Sequence, residues 1–152
     1  MLIKTHLAIT LFLVLLLMPY IAYPVWFLAV ALIATSIPDI DSKSSKIGNY
    51  WFFRPLQWFS RHRGMAHSFT FLIFLTLLFA LFLPLLALPF FVGYGCHLLS
   101  DSFTVEGIKP FYPSKKLSCG NVVTGSISET NIFVFFLIAD IIIFVVNPSI
   151  IF

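Results

Sequence analysis

Residues 85–101 read LLALPFFVGYGCHLLSD. The run is apolar almost throughout, yet it closes on a histidine and an aspartate four residues apart. If it is one helix, His97 and Asp101 leave the same face about one turn apart, near enough to grip a single cation. Four further apolar segments accompany it: Leu7 to Ile21, Val25 to Ile37, Phe69 to Leu83 and Ile132 to Val146, with the quoted run contributing Leu85 to Leu99. Each falls short of the roughly 20 residues that span a hydrocarbon core. Polar flanks or a locally thinned bilayer make up the difference. The expected fold is therefore all-α, a polytopic transmembrane bundle of about five membrane segments with a metal site at its cytoplasmic face.

Composition supports a membrane protein over a soluble one. The 152 residues are 60% hydrophobic and 10% charged, with nineteen phenylalanines, and the mean hydropathy is +1.02. A soluble domain of this size leaves too much surface in water to hide so much apolar matter. The opening stretch, MLIKTHLAITLFLVLLLMPYIAY, has the lysine and apolar run of a signal peptide but no small-x-small cleavage site, so it reads as a spanning helix. The two cysteines, Cys96 and Cys119, stand in no metal or redox spacing. There is no internal repeat, and residues 1–152 are expected to form one membrane-embedded domain.

Prolines punctuate the apolar segments at Pro19 and Pro24 and again at Pro84 and Pro89, which predicts two tight helical hairpins. Between the hairpins, Trp51, Phe52, Trp58 and Phe59 alternate with polar residues, as in a segment lying at the headgroup boundary. A second polar stretch, Asp101 to Asn131, has the glycines, prolines and serines of a folded loop. If five segments alternate in direction, all nine basic residues (Lys4, Lys43, Lys46, Arg54, Arg61, Arg63, Lys109, Lys115 and Lys116) fall on one side. The positive-inside rule makes that side cytoplasmic. The net charge of +3 is accounted for by anionic lipid headgroups, and no nucleic-acid-binding motif accompanies it.

That same side collects the chemistry. All four histidines (His6, His62, His67 and His97) and three of the six acids (Asp39, Asp41 and Asp101) lie at the cytoplasmic ends of the expected helices. Asp39 and Asp41 follow the helix-ending Pro38, where an extended or turning backbone sends both carboxylates the same way. His62 and His67, five apart around Gly64, suit a loop entering a helix. Ionisable groups on membrane helices are costly and mark function. Imidazole with carboxylate suits zinc, manganese or iron(II), and seven such groups exceed one structural site, so one or two divalent ions are expected. Arg63, between the two histidines, is the candidate clamp for an anionic substrate, with Arg61 beside it. Asp140 lies inside the last segment away from the site, and Glu106 and Glu129 read as loop charges.

The stretches KTH, IPDID, HRGMAHS, GYGCHLLSDSFT and GIKPFYP, in that order over residues 4 to 116, resemble the motif set of the YdjM-like family of inner-membrane, metal-dependent hydrolases, some of whose members are linked to the LexA damage regulon. The resemblance implies a helical membrane protein of a prokaryotic inner membrane, with a divalent-metal site at His6, Asp39, Asp41, His62, His67, His97 and Asp101. The order of the ligands is also distantly similar to the zinc-dependent phospholipase C and P1 nuclease group, which favours phosphoester substrates. Cys96, Ser100 and Ser102 depart from the apolar or small residues usual around the His97 motif, a difference that bears on substrate preference.

The function these readings predict is hydrolysis of a phosphoester of a membrane lipid or lipid-linked molecule by metal-activated water. Zinc is the favoured ion. Asp39 or Asp41 serves as bridge or general base, and Arg63 offsets phosphoryl charge. Two alternatives stand beside it: a divalent-metal transporter, whose ligands belong nearer the midplane, and a non-catalytic protein whose metal ties helix ends together.

Overall fold

Every apolar segment becomes a helix. The computed structural model describes residues 1–41 and 65–147, and of Ile40 and Asp41 the backbone alone. Helix α1 covers Ile3–Leu17 and passes through a 3-10 turn, Met18–Tyr20, into α2, Pro24–Ser36, which is followed by a second 3-10 turn, Pro38–Asp41. Then come α3, Phe69–Phe82, α4, Pro84–Ser102, and α5, Ile127–Val146. The described residues hold no strand, only two isolated bridges.

Prolines set most of the boundaries. Pro24 and Pro84 each head a helix, where the missing N–H would have no partner in any case. Leu83 is at once the last cap of α3 and the first of α4, so the second hairpin turns on one residue. Pro89 departs from the expected pattern: it sits inside α4, and its ring removes one hydrogen bond there without ending the helix.

Two helices begin earlier than hydropathy suggests. α1 takes in Lys4, Thr5 and His6, and α5 starts at Ile127 rather than at Ile132. At α5 the cause is a capping sequence, Ser126-x-x-Glu129, in which the Ser126 hydroxyl accepts the Glu129 N–H at 3.3 Å. A helix's first turn is fixed by its cap, not by its apolarity.

α4 is the centre of the bundle. Ala34, Leu72, Phe90, Tyr94, Leu98 and Ile108 bury one core between α2, α3, α4 and the following loop. Val14, Leu15, Met18, Phe27 and Ala31 bury a second between α1 and α2. Gly93 makes the crossing of α2 and α4 possible: a Cβ there would lie 2.0 Å from the Ala31 carbonyl oxygen. Small residues at such crossings let helix backbones approach closely, as membrane helix pairs commonly do.

The polarity is that of a membrane protein. Leu81, Ile138 and Val145 face outward, while His6, His67, His97 and Asp101 are buried. Ile3–Tyr20 and Ile127–Val146 are long and apolar enough to cross a membrane; Pro24–Ser36 and Phe69–Phe82 are shorter. At 1.5 Å per residue the 13-residue α2 is about 20 Å long, shorter than a hydrocarbon core.

The 103–126 stretch is a folded loop, as its composition predicts. Bridges join Thr104 to Val122 and Ile108 to Ser118, and Ile108 is anchored in the core. The loop also grips α3, where the Phe69 N–H donates to the Pro110 carbonyl at 2.8 Å.

Candidate metal centre

Five of the seven expected ligands have described side chains, His6, Asp39, His67, His97 and Asp101, and all five converge. The turn and helix ends that carry them meet at one end of the bundle, as alternating helices require. His62, Arg61 and Arg63 lie outside the described residues, as does the side chain of Asp41. The aromatic interfacial segment with Trp51 and Trp58 also lies outside them.

His97 and Asp101 extend from one face of α4, with Nε2 of the histidine 3.6 Å from Oδ2 of the aspartate. The 3-10 turn after Pro38 carries Asp39 Oδ1 to 3.7 Å from His97 Nε2 and 3.9 Å from His67 Nε2. His67 Nε2 is in turn 3.8 Å from Asp101 Oδ2. His6 enters from α1, its ring stacked on that of His97 with centroids 4.0 Å apart and planes 10° from parallel, and its Nε2 is 3.3 Å from Asp101 Oδ1. That oxygen also accepts from the Met1 amino group at 2.6 Å.

Surrounding groups hold the ligands in place. His97 Nδ1 is 2.7 Å from the Thr35 carbonyl. A carbonyl only accepts, so the proton sits on Nδ1 and a neutral ring presents its Nε2 lone pair to the cluster. Thr35 is itself fixed, its hydroxyl 2.8 Å from the Ala31 carbonyl, 2.9 Å from the Thr10 hydroxyl and 3.2 Å from the Gly93 carbonyl. His67 stands in a turn pinned twice. The Tyr94 hydroxyl donates to the Ala66 carbonyl at 2.6 Å, and Ser68 caps α3 by accepting the Phe71 N–H at 3.2 Å while donating to the Met65 carbonyl.

This geometry fits a cation. A buried lone pair on His97 Nε2 faces two carboxylate oxygens, acceptor against acceptor, and makes no hydrogen bond. Separations of 3.6–3.9 Å are too long for hydrogen bonds. Donors bound tetrahedrally at zinc distances lie roughly 3.3 Å apart, so each of these pairs needs to close by only a few tenths of an ångström to share an ion. Two overlapping ligand groups result, His6 with His97 and Asp101, and Asp39 with His67 and His97. They share His97, whose other nitrogen is committed to Thr35. These residues could hold a metal ion. His6, His67 and His97 are fully buried, and Asp101 nearly so; Asp39, with 19% of its side chain exposed, is the cluster's opening to the surroundings.

Glu129 is not the loop charge the sequence suggests. It is 1% exposed, at the start of α5, and accepts from the Leu2 N–H at 2.6 Å, the Thr5 hydroxyl at 3.0 Å and the Gly125 N–H. Its capping-box position was the available signal. Its partners in α1 could not be read from local sequence. Asp140 lies in α5 away from the cluster, as expected: eleven residues beyond Glu129, about 16 Å along the helix.

The family model that matches this chain is described as YdjM inner membrane protein, and the match runs over residues 1–151. Among curated proteins the chain is similar to YvsG of Bacillus subtilis (strain 168), an uncharacterized protein. The two are 30% identical over 95 residues, which is 60% of this chain and 59% of YvsG. No solved structure matches the chain.

Proposed function

We propose that this chain, which belongs to the YdjM inner membrane protein family, is a membrane-embedded, metal-dependent hydrolase of a lipid or lipid-linked phosphoester. Its site faces the cytoplasm. The observation behind the metal is His97, whose Nδ1 bond to Thr35 turns a bare Nε2 toward Asp39 and Asp101. Zinc suits mixed imidazole and carboxylate donors, with manganese or iron(II) the other candidates. Of the described residues, His6, Asp39, His67, His97 and Asp101 would hold one or two such ions. A bound divalent ion supplies Lewis acidity, drawing charge from a phosphoryl oxygen and making water nucleophilic near neutral pH.

The chain's own groups divide the remaining work. Asp39, the most open of the five, takes the proton of the attacking water as general base, a role for which Asp41 is the alternative. Asp101, buried and flanked by three histidines, balances positive charge. Arg63 is assigned by sequence alone to the phosphoryl oxygens of the transition state. The side of the bundle that holds the cluster also carries Lys4, Lys109, Lys115 and Lys116, which supports a cytoplasmic orientation. A site at that depth meets a lipid headgroup without extracting the lipid from the bilayer.

A second reading has an observation of its own. Near-complete burial of His6, His67 and His97 also suits an ion that only ties helix ends together; chelation would then unfold the protein. The test is elemental mass spectrometry on protein purified in mild detergent, comparing wild type with His97→Ala and His67→Ala, followed by assays of phospholipid and polyprenyl-phosphate cleavage. Bound metal lost in both variants, with cleavage that stops in Asp39→Asn, supports the hydrolase. Metal without turnover moves the reading to a structural or transport role, and no metal in wild type removes the centre altogether.

A further inference from the structure

We propose that Glu129 is a positioning residue for the metal centre: it caps α1 from another helix and thereby sets His6 against His97. The proposal rests on the reading of the cluster as a metal site.

The need for such a residue is visible in α1. Its cap residue, Leu2, supplies no side-chain hydrogen bond, and its first turn has no acidic residue. The free N–H groups of a helix start require partners. Glu129 provides one from 127 positions away, with a single carboxylate oxygen accepting both the Leu2 N–H and the Thr5 hydroxyl. Its other oxygen accepts the Gly125 N–H at the head of α5. One buried negative charge thus serves the positive ends of two helices at once, an arrangement favoured by both helix dipoles.

His6 is the next residue after Thr5, and its ring has no anchor like the one His97 finds on Thr35. Neither of its nitrogens makes a hydrogen bond; Nε2 lies 3.3 Å from Asp101 Oδ1. The placement of the His6 ring therefore depends on where the first turn of α1 is held. Asp101 holds that turn through Met1, but Asp101 belongs to the cluster itself. Glu129 is a clamp that stands outside it, accepting from the backbone of the turn itself.

The experiment is a cobalt(II) titration, followed by visible spectroscopy, of full-length protein in detergent: wild type, Glu129→Ala, Glu129→Gln, Thr5→Val, His6→Ala and the double variant His6→Ala/Glu129→Ala. Glu129→Ala should weaken cobalt binding by roughly 10–100-fold, the usual scale for a group that orients a ligand, and should shift the spectrum toward that of His6→Ala. Glu129→Gln keeps an acceptor for Leu2 and Thr5 and should restore most of the affinity. If Glu129 acts through His6, adding its loss to His6→Ala costs little more.

A full additional loss in the double variant, or an unchanged spectrum and affinity in Glu129→Ala, would overturn the proposal. If Glu129→Ala does not fold, Thr5→Val carries the same test, with partial weakening expected and none refuting. Should wild type bind no cobalt, the metal reading fails separately. Hydrogen exchange in metal-free protein then tests the clamp itself, with faster exchange across residues 2–6 in Glu129→Ala or Thr5→Val expected and unchanged exchange refuting it.

Discussion

Replacing Gly93 with alanine tests the link between helix packing and the metal centre. The new Cβ would lie 2.0 Å from the Ala31 carbonyl oxygen and 2.8 Å from its carbon, where ordinary contacts begin near 3.4 Å. Both neighbours are backbone, so no side-chain rotation relieves the clash, and α2 must move from α4 by about an ångström. The Thr35 carbonyl moves with α2. Its bond to His97 Nδ1, now 2.7 Å, would lengthen past the hydrogen-bonding range. Overpacking of this kind costs about 1–3 kcal/mol in stability. Losing the group that orients a ligand weakens metal binding by roughly 10–100-fold. The assay pairs thermal unfolding of metal-free protein with zinc affinity by competition against a chelator. A variant that is destabilised yet binds zinc like wild type would refute the claim that the α2–α4 crossing sets His97.

Four further outcomes follow from the same geometry. Tyr94→Phe removes the hydrogen bond to the Ala66 carbonyl and should cost about 1 kcal/mol, with weaker metal binding through a loosened His67; equal zinc affinity would separate that turn from the site. Metal occupancy should fall in acid, because protons compete with the metal for the imidazoles; in an equilibrium dialysis series, occupancy undiminished from pH 8 down to 4 would argue against histidine ligands. Asp39→Asn should retain metal more fully than His97→Ala while losing turnover, and elemental analysis beside the cleavage assay compares the two. Asp140→Leu replaces a buried carboxyl that makes no hydrogen bond and should raise the melting temperature without altering metal content; a loss of metal would tie α5's middle to the site.

The parts of this molecule that were legible in the sequence are those set by short-range periodicity. His97 and Asp101 are four apart on one continuous helix, so their shared face follows from the helical repeat alone. Pro38 ends α2 and turns the backbone, which brings Asp39 inward much as an extended segment would. The helix starts were less legible, because hydropathy marks only the buried or lipid-facing turns and passes over polar first turns such as Lys4 to His6. Glu129 was missed for a different reason: its partners are Leu2 and Thr5, and no local pattern encodes a contact across that distance. The Thr35 carbonyl was invisible in principle, since every residue has one and only the packing of Gly93 on Ala31 brings this one to His97.

The clamp at Glu129 also bears on how the protein is made. A chain is synthesised and inserted from its beginning, yet the first turn of α1 finds its carboxylate only on α5, 127 residues later. His6 must wait for α4 before it meets His97, and for α5 before its own helix is capped. Until α5 joins the bundle, all five ligands are present but the first turn of α1 lacks its cap. The arrival of α5 thus separates two stages of assembly: the ligands on α2, the turn before α3 and α4 can meet as soon as α4 is in place, and the setting of His6 follows when Glu129 takes hold of the start of α1.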